Sequence, residues 1–143
     1  MDKKAVISIV SNAMLDEMED AIEVVSPGRF IKLDNGYKAI YEETEISGMK
    51  GTTTTLTIND KEVVLEREGT TNTKMYFNKK EPSVAMYQTP YGLLELGIYT
   101  KGLVVDINED GGKLEINYAM TIAGDVSVDT NLSLKIKTQK TIN

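Results

Sequence analysis

Apolar and polar residues take turns along much of this chain. Leu114, Ile116, Tyr118, Met120 and Ile122 alternate with Glu115, Asn117, Ala119, Thr121 and Ala123. Leu132, Leu134 and Ile136 alternate with Ser133, Lys135 and Lys137. Val63, Leu65 and Arg67 do the same against Val64, Glu66 and Glu68. A period of two means strands with one face buried and the other wet. The abundant Thr, Val, Ile and Tyr suit that conformation. Met14–Ala21 alone has the spacing of a helix, and it is short and acidic, so it reads as a loop or a single turn.

Turn signals punctuate the strands: Asn35-Gly36, Ser47-Gly48, Asn59-Asp60, Gly69, Asn78, Pro90-Tyr91-Gly92, Gly102, Asp110-Gly111 and Gly124-Asp125. Short connections make sequence neighbours spatial neighbours, which predicts an antiparallel up-and-down meander. About eight to ten strands can close into a barrel, which removes exposed edges. The expectation is therefore all-β: residues 1–143 as a single antiparallel β-barrel domain.

Hairpin registers follow from turn placement. An Asp110-Gly111 turn pairs Ile107 with Leu114, Val105 with Ile116 and Leu103 with Tyr118. A loop over Asn59–Glu62 pairs Ile58 with Val63, Leu56 with Leu65 and Thr54 with Arg67. A loop centred on Thr71 pairs Leu65 with Phe77 and Arg67 with Met75. An odd loop centred on Val126 pairs Met120 with Leu132 and Tyr118 with Leu134. A loop over Ser47–Lys50 sets Glu43 beside Thr54, Tyr41 beside Leu56 and Glu45 beside Thr52.

Three blocks, YEETEISGMKGTTTTLTI (Tyr41–Ile58), TPYGLLELGIYT (Thr89–Thr100) and GGKLEINYAMTI (Gly111–Ile122), resemble the YwiB-like family of small bacterial proteins of unknown function. The resemblance runs over nearly the whole chain with the blocks in order. It implies a calycin-like, lipocalin-related barrel. It implies no activity, because the family has none assigned.

Composition narrows the chemistry. The chain has no His, no Cys and no Trp. Thiolate nucleophiles, Ser-His-Asp triads, disulfides and Cys/His zinc sites are thereby excluded. The net charge of −6 lies wholly in residues 1–68, while residues 69–143 are balanced. No basic stripe is available for a phosphate backbone. Lys135, Lys137 and Lys140 make the one basic cluster, read as a solvated strand face and tail. The apolar run Ala5–Val10, broken by Ser8, is too short and polar for a signal-peptide core. With no Cys, the expected location is the cytoplasm.

Several motifs have a bland reading that outweighs the functional one. Asp106–Gly111 has the alternating acidic positions of a calcium loop, but its twelfth place is Asn117 and its flanks are strands. Gly48-Met49-Lys50-Gly51 has the GxxG spacing of a nucleic-acid clamp, yet it too lies between strands in acidic surroundings. Asp16, Glu17, Glu19 and Asp20 read as a solvated acidic loop. No cofactor, metal, nucleic-acid or membrane partner is expected.

One polar constellation stands out. Arg67 is one of two Arg among many Lys, and it continues the inward face of Val63 and Leu65. The registers above place Glu43, Thr54 and Arg67 in one row across three strands. The row is either a structural salt bridge in the barrel mouth or an anion-binding Arg oriented by Glu43. Tyr41, Tyr87 and Tyr118 are candidates to line the same interior, or simply to fill it. Three functions compete. A binding module for a small amphipathic or anionic ligand ranks first and a protein-interaction module with a filled barrel second. An enzyme ranks last, because Glu43 and Glu45 are the sole paired carboxylates and share one strand face.

Overall fold

A computed structural model describes residues 2–15, 18–89 and 92–139. It contains ten strands: β1 (Asp2–Leu15), β2 (Met18–Leu33), β3 (Gly36–Glu42), β4 (Thr53–Ile58), β5 (Glu62–Glu68), β6 (Thr73–Asn78), β7 (Ser83–Thr89), β8 (Gly92–Asn108), β9 (Gly111–Ile122) and β10 (Val126–Thr138). One 3-10 turn, Glu45–Ser47, interrupts them between β3 and β4. The sheet runs β6-β5-β4-β3-β2-β1-β10-β9-β8-β7, and every described pairing is antiparallel. It curls until β6 and β7 face each other, giving a nearly closed barrel.

That last seam differs from the other junctions. Among the described residues no backbone ladder joins β6 to β7. Side chains bridge it instead: the Ser83 hydroxyl donates to the Tyr76 carbonyl at 2.7 Å, and the Thr73 hydroxyl to the Met86 carbonyl at 3.5 Å. The first and last strands, by contrast, pair over ten positions from Ala5–Thr138 to Met14–Asp129.

The alternating stripes turn inward as the pattern requires. Phe30, Phe77, Ile7, Leu56, Ile98 and Ile116 are fully buried, with Leu114, Leu134 and Ile136 beside them. Phe77 packs its ring on Tyr118, with centroids 4.8 Å apart. The ion pairs Arg29–Asp2, Lys32–Glu109 and Lys101–Asp129 lie outside on exposed side chains, where such pairs contribute little.

Four of the expected registers slip. β8 and β9 pair Val105 with Leu114 and Leu103 with Ile116, two residues from expectation, because the turn falls on Glu109-Asp110. β5 and β6 pair Leu65 with Met75 and Arg67 with Thr73, again displaced by two. β3 and β4 pair Tyr41 with Thr54 and Ala39 with Leu56, so Glu43 is not beside Thr54. β9 and β10 turn through an odd loop, but it centres on Gly124 and pairs Tyr118 with Thr130 and Ile116 with Leu132. In each case a slip by an even number keeps every side chain on its own face, so matching apolar with apolar could not detect it. The β4–β5 register, with Thr54 opposite Arg67, is as expected.

The Met14–Ala21 segment belongs mainly to the β1–β2 hairpin. Met14 pairs with Glu19 and Ala13 with Asp20. Continued pairing satisfies the peptide groups that a loop would leave to water, and acidic composition does not reveal that. Asp16 and Glu17 lie outside the described residues, as do Pro90, Tyr91 and Lys140.

Candidate ligand site in the barrel interior

Adjacent registers assemble one inward row from five strands: Gly28, Tyr41, Thr54, Arg67 and Thr73. Small residues alternate with large ones in it. Gly28 is required where it stands, because a Cβ there would overlap the Ile40 carbonyl oxygen and the Ile7 side chain. The Ile7 side chain occupies the space over Gly28. Tyr41 is 4% exposed and Thr54 fully buried.

Glu43 sits one pair further along, and its N–H donates to the Thr52 carbonyl at 2.8 Å. It is 7% exposed. The expected side-by-side row of Glu43, Thr54 and Arg67 is therefore a diagonal. Glu43 and Arg67 still line one cavity of about 190 Å³. No ion pair joins them directly among the described residues. Glu43 Oε2, Arg67 Nε and Thr54 Oγ1 are all sealed from solvent without a hydrogen-bond partner.

The cavity has an apolar floor and a polar mouth. Leu56, Leu65, Met75, Leu132 and Leu134 form the floor, with Ile9, Ile22 and Val24 on the β1–β2 side. Ser11, Tyr41, Glu43, Ser47, Arg67 and Tyr118 supply polar atoms. Tyr118 is thus brought into the site. Tyr87 is not: it packs against the core from β7 and does not line this cavity. Glu45 leaves the group as well, since it begins the 3-10 turn and pairs with Lys50 at 3.1 Å on the surface.

Ser47 and Met49 were not foreseen. Both stand in the connection between β3 and β4 and close over the cavity. Their signal was the SGMK run itself. Gly48 takes a left-handed conformation (φ 78°) that ends the 3-10 turn and brings the chain back, while the Ser47 hydroxyl donates to the Thr44 carbonyl. Strand alternation carries no information about such a fold-back.

Electrostatics follow burial. Desolvation raises the Glu43 carboxyl above its ordinary range, and the Arg67 charge only partly opposes it. Burial pushes the Tyr41 phenol far up, helped by the Glu43 charge, and burial raises the Tyr118 phenol too. The interior thus offers one guanidinium donor, one carboxyl biased toward its neutral form and two phenols that stay protonated.

The other sequence motifs form no second centre among the described residues. The Asp106–Gly111 run is the β8–β9 hairpin, where Asn108 Oδ1 accepts the Asp110 N–H at 2.8 Å and Glu109 pairs with Lys32 on the surface. Among the described residues no three acidic groups converge on a common point.

The same architecture is found in a solved structure. The crystal structure of the ywiB protein from Bacillus subtilis superposes with a TM-score of 0.86, covering 97% of this chain and 94% of that one at 22% identity. In sequence, an uncharacterised β-barrel protein YwiB of Bacillus subtilis (strain 168) is 27% identical over 111 residues, which is 77% of this chain and 76% of that protein. A family model described as a domain of unknown function, DUF1934, matches residues 7–134. With the match extending from β1 into β10, the chain belongs to the DUF1934 family.

Proposed function

We propose that the protein is a non-catalytic cytoplasmic binding module that takes a small amphipathic or anionic molecule into the barrel interior. One observation carries the reading: the Glu43 and Arg67 side chains line the same cavity without pairing with each other, and Glu43 Oε2 and Arg67 Nε are buried with no hydrogen bond of normal geometry. Leaving a buried polar or charged group without a partner costs on the order of 1–3 kcal/mol or more. A guest with polar atoms at the mouth and apolar atoms on the floor removes that cost. An apolar cavity of roughly 150 Å³ already accepts a benzene ring, so the space found here suits a guest of that scale.

The test is methyl NMR with a mixture of small polar-headed fragments. Shifts concentrated at Ile9, Leu65, Leu132 and Leu134 are expected. An interior that stays silent to every fragment would refute the reading.

A second reading, a protein-interaction module, draws on a separate observation. Val84, Met86, Leu93, Tyr99 and Val104 expose apolar surface on β7 and β8. Under it the interior takes up nothing and the outer face does the binding, so the same experiment separates the two.

A further inference from the structure

We propose that the guest is a small monocarboxylate with an apolar body, its carboxylate held between Arg67 and Glu43 and its body resting on Leu65, Met75, Leu132 and Leu134. This rests on the interior-binding reading above and names its ligand class.

Arg67 Nε is a donor and cannot accept, so its missing partner is an acceptor. An ionised acceptor makes the stronger bond. Among the described residues Arg67 is the one cation lining the cavity, so a single negative charge is matched and a second would be left uncompensated. A phosphate or sulfate dianion therefore fits poorly. An ammonium guest would suit Glu43 alone and face repulsion from Arg67.

An ionised Glu43 would repel an anion, but burial disfavours its ionised form. It is more than nine-tenths buried, and its Oε2 has no partner. Burial already biases the carboxyl toward its neutral form. A carboxylate guest adds a negative neighbour and drives the bias further, as when two carboxyl groups share one site. Glu43 then takes a proton from solvent, becomes an O–H donor and shares that proton with the guest. Arg67 and Glu43 both donate to one carboxylate, and each side chain gains a partner that the lining does not supply.

Binding should therefore consume a proton. The groups facing Glu43 within the cavity are Arg67 from β5, Tyr41 from β3 and Tyr118 from β9. The cavity residues from β1, β2, β4, β6, β10 and the β3–β4 connection carry no charge. Both phenols are raised, away from neutral pH, and the Glu43 carboxyl is raised toward it by burial, which leaves Glu43 as the group whose proton binding can change.

The experiment is calorimetric titration of the whole chain with four probes of one shape: benzoate, benzamide, benzylamine and benzene. Benzoate should bind at least about tenfold tighter than benzamide, the size of one charge-assisted hydrogen bond, and benzylamine should bind weakest. Buffers of different ionisation enthalpy should reveal proton uptake, and affinity should rise from about pH 8 to about pH 5.5, above the range where benzoate itself protonates. Glu43→Gln should abolish the proton uptake, and Arg67→Gln the preference for benzoate over benzamide. Equal binding of benzoate and benzamide, or a preference for benzylamine, overturns the monocarboxylate proposal. Benzene binding without a benzoate preference overturns it while leaving the interior site standing. Failure of all four probes removes both. The four-probe ranking on the unaltered protein decides the matter even if a variant fails to fold.

Discussion

Thr54 is fully buried in the middle of the inward row, and its hydroxyl makes no hydrogen bond of normal geometry. A valine has nearly the same shape and no polar atom to desolvate. Thr54→Val should therefore stabilise the unliganded protein by about 1 kcal/mol, as read by urea denaturation; a loss of stability would mean that the hydroxyl is satisfied in solution. Glu43 yields a pH signature. Its carboxyl is raised in the folded state, so its neutral form is favoured there. The stability this gives is complete below the unfolded value of about 4.3 and is lost as pH rises through the raised folded value. Denaturation curves across mildly acidic to neutral pH should fall for the wild type and run flatter for Glu43→Gln. Arg67 was legible from its rarity and its place after Val63 and Leu65. Glu43 entered the same site by a mistaken pairing, because a slip of two leaves the face unchanged.

In the β4–β5 hairpin, whose register was legible, one side chain takes two N–H groups of the turn. Asn59 Oδ1 accepts the N–H groups of Lys61 and Glu62 at 2.9 and 2.8 Å, and the Asn59 N–H closes on the Glu62 carbonyl. The β8–β9 hairpin misleads because its Asp-Gly pair has the chemistry of a two-residue turn. Gly111 serves a different purpose: with φ at 109°, it lets the Ile136 carbonyl approach where a Cβ would overlap it. The turn moves back one residue and the pairing shifts by two. Face assignment, unlike register, survives such errors. Ile116 is inward under either pairing and is fully buried in the structure. Ile116→Ala should cost about 2–4 kcal/mol, from lost transfer energy plus a cavity. A change below roughly half a kcal/mol in chemical denaturation, the size expected at a surface position, would place it outside the core. The β3–β4 connection over the cavity was the least legible element, because its placement comes from Gly48 and from contacts with distant strands.

At the scale of the whole barrel, the ring is interrupted in two places that do not coincide. Its covalent gap lies between β10 and β1, where hydrogen bonding is continuous; its hydrogen-bond gap lies between β6 and β7, where the chain is continuous. Amides on the facing edges of β6 and β7 should exchange with solvent fastest among strand amides, since their protection needs no ladder to open. Protection there equal to that of β1 and β10 would show the ladder closed in solution. The arrangement also makes the order of synthesis and the order of the sheet different sequences. β10 is made after the nine strands before it and is the neighbour of β1, so β1 waits for all of them before gaining its second partner. A circular permutant opened in the exposed 79–82 connection, with β10 linked to β1, would read the sheet from one edge to the other without a jump. It turns the longest-range pairing into a local hairpin, and lower contact order speeds folding. Such a permutant should keep the barrel and refold faster than the natural order, a difference that stopped-flow measurement would read directly.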